Sequence, residues 1–143
     1  MTVKIVDTIP LAESRLTRIY FLARLSVGVV WIYQGLIPKI IFRDWSEIIL
    51  LRKAGVDIYL IPALLKTFGY AEIIFGILVL TSWRSKWPLW GTVGAMIGGL
   101  LAVAGQSPEV LHAAFNPFTL NGLLAVMAVI ALLAQPPPKT ADH

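Results

Sequence analysis

The 143-residue chain is 57% hydrophobic, has a mean hydropathy of +0.77 and is only 14% charged, against about 25% in an average soluble domain, which excludes an ordinary soluble monomer. Zero cysteines exclude a disulfide, a thiol nucleophile and a thiolate-held iron–sulfur cluster, and the only two histidines, His112 and the terminal His143, are a poor supply for a bis-histidine haem. The net charge of +4 and pI near 9.6 come from basic residues that flank apolar spans, a pattern of membrane orientation and not of nucleic-acid binding.

Residues 1–17 read as a cytoplasmic N-terminal segment. The first span is expected near 18–38: Arg24 and Lys39 enclose only 14 uncharged residues, and a crossing needs about 20. The helix must then start near Arg18, with Arg24 inside the membrane's edge. Three arginines precede this run and no small-x-small cleavage site follows it, so it reads as a retained anchor and not a signal peptide.

In the next connection Asp44 is a helix cap with Glu47 three residues on, and Ala54-Gly55 is a stop. Ile41, Trp45, Ile48 and Leu51 fall roughly on one face, which predicts a short amphipathic helix on the membrane surface. The second span, 58–83, contains only Lys66 and Glu72 as charges, and the third, 87–106, contains none. Ser107-Pro108-Glu109 predicts a second short interfacial helix, and Asn116-Pro117 caps a fourth span over 117–135. The Pro-rich residues 136–143 read as a disordered tail. The expected fold is all-α: an integral membrane four-helix transmembrane bundle, residues 18–135, with short interfacial helices in the outer loops.

Six basic residues (Lys4, Arg15, Arg18, Arg84, Lys86, Lys139) lie on one side of these spans and four (Lys39, Arg43, Arg52, Lys53) on the other. The positive-inside rule therefore places both termini in the cytoplasm; the membrane expected is the plasma membrane, the inner membrane of a bacterium. Trp83, Trp87 and Trp90 then form an interfacial belt at the cytoplasmic turn.

Helices in lipid associate where small residues let backbones approach. Gly28 and Gly35, Gly69 and Gly76, Gly94 and Gly98, and Gly122 with Ala125 and Ala128 supply such faces on all four spans. Small-residue faces on every helix exceed what one small bundle uses, which predicts a homo-oligomer or a stable membrane-protein complex in contact with membrane lipids.

Glu72 stands near the centre of the second span on the face of Gly69 and Gly76, where a carboxylate is costly and is either paired or functional. Arg24, Gly28, Trp31, Gly35 and Pro38 share the matching face of the first helix. Two readings of Glu72 stay open, a buried ion pair with Arg24 and a carboxylate that serves a ligand or a proton. Arg24 has its own alternative of snorkelling to the interface. Trp31, Gln34, Lys39, Glu72, Asn116 and Asn121 are the candidate ligand-binding residues, placed where a headgroup-sized pocket fits. No residues are assigned a catalytic role and none a metal: Glu109 and His112 make one Glu-x-x-His step outside the spans, and no HExxH, P-loop, GxGxxG or nucleophile elbow is present.

The run RLSVGVVWIYQGLIPKI, with Arg24, Gly28, Gly35 and Lys39, followed by GYAEIIFGILVL with Glu72 and Gly76, resembles the DoxX-like family of small four-helix integral membrane proteins. FNPFTLN at 115–121 is similar to the branch with a longer first loop, and the resemblance covers about residues 18–134. It implies association with a quinone-linked membrane oxidoreductase system, in which this chain is an accessory subunit beside a quinone headgroup, with no cofactor held by a motif of its own. Gln34 departs from the histidine that many members place there, so a titrating role does not carry over to it. More distant relatives resemble chaperones or cargo receptors, which implies an alternative role as a non-catalytic scaffold for partner membrane proteins.

Overall fold

The computed structural model describes residues 8–112 and 116–136. Helix α1 spans Thr8–Gln34 and runs on as a π-helical segment, Gly35–Ile41; α2 is Trp45–Lys53, α3 Ile61–Thr81, α4 Trp87–Gln106 and α5 Pro117–Ala134. Four stretches, Glu13–Ile41, Ile61–Thr81, Trp87–Gln106 and Pro117–Ala134, are long and apolar enough to cross a membrane. Helix α1 starts well before Arg18: Pro10 falls in its first turn, where a missing N–H is no loss, and Leu11, Ala12 and Glu13 are good helix formers. The expected second interfacial helix is only a 3-10 turn, Pro108–His112. Residues 113–115 of the loop motif, residues 1–7 and nearly all of the expected tail lie outside the described residues.

Helix α1 is the centre of the bundle, packing on α3 and on α5, while α4 packs on α5 and meets α3 only sparsely. Tyr20, Ala23, Val27 and Trp31 of α1 form the core with Val79, Leu89, Leu124 and Ala128. The outward faces remain apolar, with Leu22, Leu101, Leu123 and Leu133 all exposed, as required of helices solvated by lipid tails.

Helices α1 and α3 touch through paired glycines. A Cβ on Gly69 would lie 2.7 Å from the carbonyl oxygen of Gly35, and one on Gly76 would lie 2.8 Å from that of Gly28. Backbone atoms cannot move aside, so Gly69→Ala must push the helices apart, and we expect it to destabilise the fold by about 1–3 kcal/mol. Gly94 and Gly98 of α4 are different, because nothing lies within 4 Å of a Cβ at either. Their expected role in packing this bundle is corrected: the face is open, since α4 uses Leu89 and Thr92 to reach the core. Gly98→Ala should therefore leave monomer stability unchanged or raise it by up to about 1 kcal/mol, and thermal unfolding in detergent compares the two substitutions.

The end of α1 is shaped by Pro38. A proline inside a helix removes one backbone donor, and here the turn widens so that Phe42 N donates to Ile37 O at 3.0 Å and Asp44 N to Pro38 O at 2.7 Å. Arg43, at φ 49°, then turns the chain into α2. Asp44 caps α2 by accepting from Ser46 N at 2.9 Å and from the Ser46 hydroxyl. These bonds, the hydroxyl first, hold its carboxyl below the usual range. The cap is thus complete at neutral pH and weakens only as acid reaches that lowered value.

Candidate functional site

The capping box expected at Asp44 and Glu47 does not close. Asp44 N is already given to Pro38 O, and Glu47 turns instead toward the end of α1, where its Oε1 lies 2.9 Å from Lys39 Nζ. The same ammonium lies 3.1 Å from Glu72 Oε1 on α3. One cation from the π-helical segment thus joins two carboxylates, one from the surface helix and one from the middle of a spanning helix. The Lys39 side chain is 9% exposed, Glu72 21% and Glu47 29%. The other oxygen of Glu72, Oε2, is enclosed and has no hydrogen-bond partner among the described residues.

These three side chains form the polar end of a pocket of about 510 Å³ whose remaining wall includes Trp31, Leu50, Leu51, Phe68 and Phe75. The pocket is open on one side, and its lining, mostly apolar with a few convergent polar groups, is the mixture found in small-molecule sites. Its floor is fixed. Trp31 donates from Nε1 to the Thr92 hydroxyl at 3.0 Å, and Thr92 donates to Pro88 O at 3.0 Å. The Phe75 ring meets Trp31 edge-on, with centroids 4.9 Å apart, a favoured aromatic geometry.

Arg24 is elsewhere, and its expected ion pair with Glu72 is corrected. The guanidinium is fully buried and donates from Nε to Val79 O at 2.6 Å, from Nη1 to Ser85 O at 3.0 Å and the Tyr20 hydroxyl at 2.5 Å, and from Nη2 to Ser82 O. Tyr20 in turn donates to Trp83 O. The reason is the end of α3, whose last carbonyls have no intrahelical partner and carry the negative end of the helix dipole. A planar fork with five N–H groups fits several such oxygens at once. Val79 lies seven residues beyond Glu72, about 10 Å along the helix, so Arg24 serves one end of α3 and Lys39 serves its middle. Snorkelling is likewise excluded by the complete burial.

Of the residues singled out in the sequence, Trp31, Lys39 and Glu72 come together in the pocket, and Gln34, Asn116 and Asn121 do not line it. Gln34 is half-buried on the last turn of α1. Asn116 caps α5 by accepting from Thr119 N at 2.9 Å, and Asn121 faces α4 beside Gly99. His112 is exposed, and the side chain of Glu109 lies outside the described residues. Glu47, Phe68 and Phe75 are pocket residues that the sequence did not reveal as such. Glu47 read as part of the Asp44 cap, and nothing in the spacing of the two phenylalanines sets them apart from other apolar residues of the second span.

A family model described as the DoxX-like family matches residues 28–130, a stretch that contains α3, α4, the π-helical segment and every pocket residue. No curated protein and no solved structure matches the chain.

Proposed function

The chain belongs to the DoxX-like family, and from that premise we propose that it is an accessory subunit of a quinone-linked membrane oxidoreductase system that holds a quinone-class headgroup in the Trp31–Phe75 pocket. The observation that carries this reading is the coincidence, in one pocket, of aromatic walls with the Lys39–Glu72 pair. A flat ring stacks or packs edge-on against Trp31, Phe68 and Phe75. Lys39 is a donor for a ring oxygen, and Glu72 is an acceptor for a ring hydroxyl. The pocket borders spanning helices, so a tail-bearing ligand keeps its tail in lipid.

The electrons come from a partner subunit, because a chain without cysteine builds no thiolate-held cluster. This reading places the protein in the plasma membrane, the bacterial inner membrane, and the distribution of its basic residues supports cytoplasmic termini.

Titration of the protein in lipid nanodiscs with a short-tailed quinone tests the reading. Trp31 emission should be quenched saturably, and Trp31→Phe should remove that component. Purification from native membranes should recover a redox partner with bound quinone. A titration without saturable quenching overturns the quinone reading, and recovery of partner proteins without any redox centre would support the non-catalytic scaffold instead.

A further inference from the structure

We infer that the pocket selects headgroups that donate hydrogen bonds, so that of a quinone-class pair it holds the dihydroxy form in preference to the dicarbonyl form. This rests on the quinone-class reading above and assigns the redox state of its ligand.

The inference follows from counting donors and acceptors around the pocket. Its charged lining is one ammonium and two carboxylates. Lys39 has three N–H donors, and two are directed at Glu47 and Glu72. Trp31 has one, and Thr92 accepts it. The donors left for a ligand are therefore few. Acceptors are in surplus: a carboxylate offers about four lone-pair sites and donates nothing when ionised, and Glu72 has one oxygen on Lys39 and the other without a partner. That second oxygen is enclosed, so the acceptors open to a ligand are the remaining lone pairs of the partly exposed Glu47 and Glu72 carboxylates.

Charge points the same way. Two carboxylates against one ammonium leave a surplus of negative charge beside an apolar wall, where electrostatic effects are stronger than in water. A ring carbonyl brought there faces lone pairs, whereas a ring hydroxyl donates to them. A hydrogen bond to a charged acceptor corresponds to roughly a tenfold or greater change in affinity.

The test compares the oxidised and reduced forms of one short-tailed quinone under anaerobic conditions, with the full chain in nanodiscs and empty nanodiscs as the control. The reduced form should bind at least about tenfold more tightly. For a two-electron couple this raises the midpoint potential of the bound ligand by about 30 mV, which a redox titration reads independently. Glu72→Gln, whose amide both donates and accepts, should shrink the preference toward unity. The unsubstituted protein alone decides the matter if that variant folds poorly. Equal affinity for the two forms, or tighter binding of the dicarbonyl form, overturns the inference and leaves the quinone-class reading standing. Binding of neither form overturns that reading and the inference with it.

Discussion

Arg24→Ala is expected to lower the stability of the bundle by about 3–5 kcal/mol, which combines the loss of a large buried side chain with carbonyls left short of donors. Arg24 is the largest fully buried side chain among the described residues. It joins α1 to Val79 at the end of α3 and to Ser82 and Ser85 in the turn that leads to α4. Val79 O is the most costly to abandon, because its bond is buried, while the turn carbonyls regain some water. Arg24→Lys should recover only part of the loss, since one ammonium cannot span the positions of Nε and both terminal nitrogens. Tyr20→Phe, which removes bonds to Arg24 and Trp83, should cost about 1 kcal/mol. Because Glu72 is not the partner of Arg24, the loss in Arg24→Gln should be additive with that in Glu72→Gln, with no rescue in the double variant. Denaturant unfolding in mild detergent measures all of these. An Arg24→Ala protein that unfolds with the wild-type midpoint would remove the cap from the account of stability.

The four spanning helices are legible in the sequence because charge is so scarce there that each uncharged run marks a span. The faces of Gly28, Gly35, Gly69 and Gly76 are legible for a related reason: in lipid, close approach is the principal route to helix association, so seven-residue glycine spacing points to contact. Gly94 and Gly98, four residues apart, also share a face and yet lie open, because spacing identifies a face without saying what meets it. The partner of Glu72 is harder to read. A helical wheel places Arg24 and Lys39 on nearly the same face of α1, and the choice between them depends on depth along α3 and on the carbonyls that α3 presents at its end. Depth in turn depends on Pro38, which converts the end of α1 to a wider turn and carries Lys39 with it. Glu47 is least legible, because an acidic residue three positions after a cap has a local explanation, and its use by Lys39 follows from a bond between Asp44 N and Pro38 O that no sequence pattern announces.

The second large effect is expected for Lys39→Met. This change leaves Glu47 and Glu72 facing one another across a pocket with no cation between them. Removing one partner of a buried ion pair typically costs 3–5 kcal/mol. About 3 kcal/mol is the appropriate scale here, because both carboxylates keep some exposure. Glu47→Gln alone should cost about 1 kcal/mol or less, as its pair with Lys39 lies toward the water and Glu72 still balances the ammonium. The triple change Lys39→Met, Glu47→Gln and Glu72→Gln removes every formal charge in the cluster and should recover most of the stability lost in Lys39→Met. It should not recover headgroup binding, since the amides lack both the ammonium donor and the charged acceptor. Stability and quinone-class binding measured on the same three proteins therefore separate two roles of one cluster: restored folding without restored binding assigns the charges to the ligand, whereas restoration of both would reduce them to a structural ion pair.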